Sequence, residues 1–331
     1  MLIENASSLS PSERQRIISS IKIEHDRYKE AVEGLRQFHY PVDGGLPGAG
    51  SLSMLVGDSR TGKSFSVTQY VKGFQPCVGA DGIRIPVLYV EAPVEGGSRG
   101  LLECLADGLR ILHSRRMNSP SLLNLILKAF VEREVQLLVI DETQAIFRQE
   151  NRRLLSFGRD LLRKILNLNS LNIICVGLVE TYNILRADAQ LTGRGGLHYR
   201  LLQPYRWDSR EEQDSFRLLC LQLDRALPFN GPAGLSSPAT AQRLYFVSDG
   251  IIGRLINFLR SAAYLAINDQ SDSISNAHLA RAFESQKPLG SSFNPFVHDL
   301  SHAPQARAVK RDGSNPSQMF SKKGGAHGRA A

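Results

Sequence analysis

A chain of 331 residues, 42% of them hydrophobic, is long enough to bury one large α/β domain plus a smaller one, or two domains and a tail. Its 40 Lys and Arg against 32 Asp and Glu leave a net charge of +8, which points toward a polyanionic partner, nucleic acid before others. Cys77, Cys104, Cys175 and Cys220 lie far apart with no C-x-x-C pair, which argues against a zinc site or a disulfide framework. Met1–Arg14 is polar and no apolar run approaches membrane-spanning length, so no membrane partner is expected and the expected location is the cytoplasm.

Residues Pro11–Phe38 place apolar side chains at roughly helical spacing, which predicts one or two helices. A Gly/Pro-rich connection follows from Pro41 to Gly50, at a position that often lies against the base in nucleotide-binding domains. The apolar run Leu52–Val56 then enters Gly57-Asp58-Ser59-Arg60-Thr61-Gly62-Lys63-Ser64, which reads G-x-x-x-x-G-K-[ST], and leads into Phe65 and a helical stretch. That spacing suits a strand delivering the backbone into a tight loop whose N–H groups cradle phosphate oxygens at a helix N-terminus. Lys63 can reach the outer phosphates and the Ser64 hydroxyl can ligate a bridging magnesium ion.

Gly73–Pro86 reads as loop and Val87–Glu91 as a second strand. Helical spacing covers Leu101–Leu112 and Leu122–Val131, separated by the basic stretch His113-Ser114-Arg115-Arg116, with Arg99 and Arg110 upstream. The run Leu137-Leu138-Val139-Ile140 is apolar on both faces and ends in Asp141-Glu142, the form of a Walker B strand. Asp141 would hold the magnesium shell and Glu142 would polarise a water for in-line attack on the γ-phosphate. A helix over Arg152–Asn167, a strand at Asn172–Gly177 and a strand within Tyr199–Pro204 complete a strand-helix alternation, hence a parallel sheet. From Ser209 the periodicity is helical only, and from Pro288 the chain is poor in apolar residues and basic, as a flexible tail would be. The expected division is a helical leader over 1–46, an α/β core over 47–207, a small helical lid over 208–287 and a tail over 288–331.

These features together resemble the AAA+ ATPases, and within them the TnsC/TniB family of transposition regulators. The resemblance rests on the strand entering GDSRTGKS, on VLYVEAP at 87–93, and on LLVIDETQ at 137–144, where Gln144 takes a place more often held by His. It rests also on Asp188–Arg194, on Asp249–Leu255, and on Asn294-Pro295-Phe296, which resembles the end of the folded region. It implies ATP and Mg2+ as cofactors, with Gly57–Phe65 and Arg254 on the nucleotide, Lys63, Glu142 and Arg194 in catalysis, and Ser64 and Asp141 on the metal. Arg194 would act as an arginine finger on a neighbouring subunit, with Arg200 as its rival. The family's pattern fails behind Gly177, where Leu178 and Val179 stand in place of a polar sensor.

The resemblance further implies a homo-oligomer, ring or helical filament, that coats duplex DNA and links a target-selection protein of the TniQ type to the transposase. Targeting by CRISPR machinery and targeting by a fixed DNA site are equally compatible with the chain. Arg99, Arg115 and Arg116 are the expected DNA surface. Two other readings stand beside this one: a replication-initiation or helicase-loading ATPase, and a secretion-type ATPase with a membrane partner.

Overall fold

The computed structural model describes residues 9–80, 82–193 and 196–303; Arg194 therefore lies outside the described residues. The chain opens with α1 (Pro11–Ser20) and α2 (Asp26–His39), then β1 (Leu52–Val56), α3 (Lys63–Val71), a hairpin of β2 (Cys77–Gly79) and β3 (Gly82–Arg84), and β4 (Val87–Glu91). Next come α4 (Gly97–Gly108), α5 (Ser119–Glu132), β5 (Leu137–Asp141), α6 (Arg152–Leu166), β6 (Asn172–Gly177), α7 (Val179–Arg186), α8 (Ala189–Thr192) and β7 (His198–Leu201). Four helices close the fold: α9 (Arg210–Ala226), α10 (Pro238–Ser248), α11 (Ile252–Asn268) and α12 (Asn276–Glu284).

The main sheet has the order β4-β5-β6-β1-β7, and every pairing in it is parallel. β5 and β6 are buried along their whole length, which is why their sequences are apolar on both faces. Alternate residues of each strand feed opposite cores. Leu52, Met54, Leu138, Ile140, Ile173 and Cys175 join the inner faces of α4–α8, while Leu55, Leu137, Val139, Ile174 and Val176 meet α2 and α3 through Ala31, Leu35 and Val67. The leader is thus not a separate unit: α2 covers one face of the sheet, and α1 packs on α11 of the C-terminal bundle.

Local chemistry sets the element ends. Ser10 and Glu13 form a capping box ahead of Pro11 at the start of α1, and Asn118 and Ser209 cap α5 and α9 through backbone N–H groups. The β2–β3 hairpin interrupts the stretch expected to be loop, because its three-residue strands are largely exposed and carry no apolar alternation. Among the described residues no single helix is long and apolar enough to cross a membrane.

Of the tail expected over 288–331, residues 304–331 lie outside the described residues, and the part before them packs on the bundle. Phe293 and Phe296 are 8% and 2% exposed, and Phe296 stacks on Phe258 of α11 with centroids 5.5 Å apart. Asn294 donates to Ala280 O at 2.9 Å and to Glu284 Oε1 at 2.8 Å. The segment 293–298 therefore belongs to the bundle; two aromatic anchors and one Asn suffice where composition over a wider window reads as unstructured. Phe296→Ala is expected to cost about 3–5 kcal/mol, read as a lowered denaturant midpoint.

Two buried imidazoles bear on pH. His39 accepts from Tyr70 Oη on Nδ1 at 2.9 Å and donates from Nε2 to Gln136 Oε1 at 3.3 Å, and His25 Nδ1 meets Tyr205 Oη at 3.0 Å. Burial drives both from 6.5 down to about 4. The unfolded chain then takes up protons first as pH falls, so their contribution is complete above 6.5 and is lost between 6.5 and about 4. Urea midpoints are expected to fall across that window by up to about 1.4 kcal/mol per pH unit for each histidine, and His39→Gln should flatten the fall.

Candidate functional site

A cavity of about 520 Å³ opens where the C-terminal ends of the central strands face the helical bundle. Open parallel sheets place their ligands on this side. Its floor is the loop that joins β1 to α3. Gly62 takes the left-handed conformation, φ 100°, and starts α3, so that the first N–H groups of the helix point into the cavity. Lys63 is 9% exposed, and its ammonium donates to Gly57 O at 2.9 Å and Asp58 O at 2.8 Å. Burial lowers its pKa, while Glu142, Asp141 and Asp58 pull the other way. The site thus combines a dehydrated cation with a helix N-terminus, an arrangement that attracts polyphosphate.

The second wall is the exit of β5. Asp141 is 2% exposed; its Oδ1 accepts from the Glu142 N–H at 2.7 Å and its Oδ2 from Tyr89 Oη at 3.0 Å. Burial and the adjacent carboxylates push the Tyr89 hydroxyl upward, so it remains a donor. Glu142 leaves the strand in the left-handed region, φ 54°, which turns its exposed side chain out of the sheet line. Gln144 Nε2 donates to Glu142 Oε2.

The remaining walls come from α11 and from the connector between α1 and α2. Gly253 N–H donates to Arg60 O at 3.0 Å, and a Cβ on Gly253 would come within 2.8 Å of that oxygen. Glycine is what lets the bundle touch the 57–64 loop backbone. Ile256 of α11 lies across from Ile21 and Ile23, with His25, Lys22 and Arg260 also on the lining. This apolar slot with polar edges fits a planar base. The Pro41–Gly50 connection, expected beside the base, does not line the cavity; Ile21, Lys22, Ile23 and His25 do. The reason is that α2 turns the chain across the sheet and leaves its N-terminal end, not its C-terminal end, above the strand exits.

The structure brings Ser59, Arg60, Gly62, Lys63, Ser64, Phe65, Asp141 and Glu142 into one cavity, with Gly57, Asp58 and Thr61 forming the loop beneath; Thr61 Oγ1 closes it on Asp58 O at 2.9 Å. Arg254 is not on the lining: its guanidinium pairs with Asp249 at 2.7 Å, and Arg260 reaches the cavity instead. Arg200 lies on edge strand β7 against Gly34 of α2, away from its own chain's cavity. Arg99 pairs with Glu103 at 2.9 Å and donates to Met117 O at 2.5 Å and Ser114 O at 3.3 Å. It braces the loop on which Arg115 and Arg116 are exposed. Sequence reasoning gave no role to Tyr89, Ile256 or Arg260 and noted Gln144 only as a position in the Leu137–Gln144 motif, since the contacts that give these residues their place form only on folding.

Among the described residues no cluster of three or more His, Cys, Asp or Glu side chains could hold a metal. Magnesium does not need one, because it takes one or two protein oxygens and completes its shell with water and substrate phosphates. Ser64 and Asp141, oxygen donors on the same cavity, fit that requirement.

The fold is shared with solved structures of low sequence identity. Cdc6p from Pyrobaculum aerophilum is 18% identical over 86% of this chain and 72% of that one, with a TM-score of 0.57. The Aeropyrum pernix ORC1 protein, solved in complex with DNA, is 16% identical over 82% and 69%, with a TM-score of 0.60, and Aeropyrum pernix ORC2, solved as ADPNP-ADP complexes, is 18% identical over 81% and 71%, at 0.56. These likenesses show an AAA+ fold. No curated protein matches the chain. The family model of the bacterial TniB protein matches residues 15–199, from within α1 through the start of β7. With more than half of its length covered by that match, the chain belongs to the TniB family.

Proposed function

We propose that this protein is an ATP-hydrolysing, DNA-binding regulator of transposition. The observation that carries the reading is the buried Lys63 ammonium, held between loop carbonyls and facing Asp141 and Glu142 across one cavity. The N–H groups of the 57–64 loop and the Lys63 charge bind the phosphates, Ser64 and Asp141 hold Mg2+, and the Ile21, Ile23 and Ile256 side chains sandwich the adenine. Bound magnesium supplies Lewis-acid neutralisation of the β- and γ-oxygens. Glu142 takes the proton of the attacking water. Arg194 or Arg200, presented to a neighbouring copy, supplies the guanidinium that stabilises γ-phosphate charge, which makes ATP a bridge between protomers and its hydrolysis a signal to disassemble.

The family membership supports the transposition role, and the +8 net charge with the exposed Arg115 and Arg116 beside Arg99 supports a DNA contact. On this reading the protein assembles as a ring or filament on duplex DNA and links a TniQ-type target-selection protein to the transposase. The likeness to Cdc6p and to ORC1 in complex with DNA favours, as a second reading, a role in loading replication factors. Transposition assays with the cognate element, set against helicase-loading assays, separate the two.

Lys63→Ala is expected to weaken ATP binding by about 10- to 100-fold, measured by calorimetry with magnesium present. Glu142→Gln should keep that binding and lose about 10²-fold or more in turnover, so that DNA-bound oligomers persist in electron micrographs; wild-type turnover in this variant contradicts its role. Arg115→Ala with Arg116→Ala, leaving the Arg99 brace intact, should lower the salt slope of DNA binding by about 1–2; an unchanged slope removes the loop from the DNA surface.

A further inference from the structure

β6 ends in Gly177 followed by Leu178, so no polar side chain extends from that strand over the cavity. The place is taken from the neighbouring strand. After β5 the turn Thr143–Ala145 lies across the β6 exit, with Thr143 Oγ1 donating to Val176 O at 2.9 Å. A Cβ on Gly177 would stand 2.6 Å from Thr143 Oγ1 and 2.9 Å from Gln144 Oε1. The glycine therefore makes the space in which the Gln144 amide sits. That amide is half used. Its Nε2 donates to the Glu142 carboxylate, an acceptor-only group that fixes which end is nitrogen. Its Oε1 is buried, and among the described residues it has no hydrogen-bond partner, although the side chain lines the cavity that holds Lys63, Ser64, Asp141 and Glu142. Buried acceptors rarely remain without a donor.

We infer that Gln144 is a positioning residue for hydrolysis: its Oε1 and the Glu142 carboxylate together orient the water that attacks the terminal phosphate of a nucleoside triphosphate. The inference rests on the ATPase reading above. One water O–H is directed to Glu142 and the other to Gln144 Oε1, which leaves an oxygen lone pair free for the γ-phosphorus. As the new O–P bond forms, the bond from the γ-phosphorus to the bridging oxygen breaks and its electron pair leaves on the nucleoside diphosphate. The water proton passes to Glu142 and then to solvent. Gln144 exchanges hydrogen bonds only, and its Nε2 keeps Glu142 turned toward the water. Arg148 Nε, donating to Gln144 O at 2.9 Å, secures the backbone from which the amide projects.

The test uses the full chain with duplex DNA and compares wild type, Gln144→Leu and Gln144→His by steady-state turnover and by the affinity of a fluorescent ADP with and without aluminium fluoride. Gln144→Leu is expected to lower kcat about 10²-fold while KM and ADP affinity stay within about twofold. It should also abolish the tightening of ADP binding by aluminium fluoride, whose complex mimics the in-line geometry. Gln144→His keeps one donor and one acceptor and should restore most of both. A leucine variant with wild-type kcat and full tightening overturns the inference, as does an equal loss of ADP affinity in both variants, which would mark a packing role. If wild type itself binds no ATP, the ATPase reading falls and this inference with it; if wild type binds and hydrolyses ATP while the leucine variant is unaffected, this inference alone falls.

Discussion

The constraint on which the site depends is the burial of the Lys63 ammonium. Removing that charge from water is costly, and burial alone lowers its pKa. Two carbonyls of the 57–64 loop accept from it directly, and Asp141, Glu142 and Asp58 oppose the loss of its charge. Gly57 and Asp58 are close to Lys63 in the chain; Asp141 and Glu142 are far from it and are brought near only by the fold. The parallel order β5-β6-β1 is what carries the Asp141–Glu142 exit to within electrostatic reach of the β1–α3 loop, and β6 between them is buried along its length, apolar from Ile173 to Val176 with its one polar side chain, Asn172, hydrogen-bonded to Ser51 N and Phe38 O. Strand hydrophobicity and site electrostatics are in this sense one requirement.

The leader gives the site its fourth wall and ties the two halves of the molecule together. α1 packs on α11, α2 on α3, and the connector between them crosses the cavity. Arg27 reaches Glu212 of α9 at 2.7 Å, His25 meets Tyr205 between β7 and α9, and Tyr28 packs on Phe65 of α3. Because Gly253 already joins α11 to the 57–64 loop, any shift of the bundle relative to the sheet would have to move both contacts at once. A ligand held between Ile21, Ile23 and Ile256 would therefore bias that relation through differential contact with both parts.

Much of this was legible from residues alone, for physical reasons that differ from feature to feature. The 57–64 loop and the Leu137–Asp141 strand are local: a glycine spacing and an apolar run state their backbone demands within a few positions. The amphipathic helices α4, α5, α9 and α11 were legible from their periodicity. What stayed hidden is non-local or too short. Ile23 and Ile256 face each other only after folding, Arg260 enters the cavity because it shares the α11 face of Gly253, Ile256 and Asn257 while Arg254 points to Asp249, and the anchoring of Phe293 and Phe296 is invisible to composition. Gln144 stands inside a recognised motif, yet its meaning appears only when Gly177 is seen beneath it.

That pairing has a counterpart on the far side of α6. Asp188 caps α8 by accepting from Gln190 N at 3.0 Å and Leu191 N at 3.2 Å, and the same carboxylate pairs with Arg163 at 2.6 Å and Arg159 at 3.6 Å. Burial opposes its charge, but Arg163 and the Leu191 and Gln190 N–H groups hold the Asp188 pKa below its ordinary value, so the cap stays ionised at neutral pH. α6 itself follows the 141–148 turn in the chain and packs under it through Gly158, whose missing Cβ makes room for Ile146 and Phe147. The turn that carries Glu142 and Gln144, the helix α6 and the capped start of α8 are thus joined by direct contacts. A rearrangement at the Glu142 carboxylate has a packed route to the segment that precedes β7, and the charge pair at Asp188 is the point at which that route could be cut without touching the cavity.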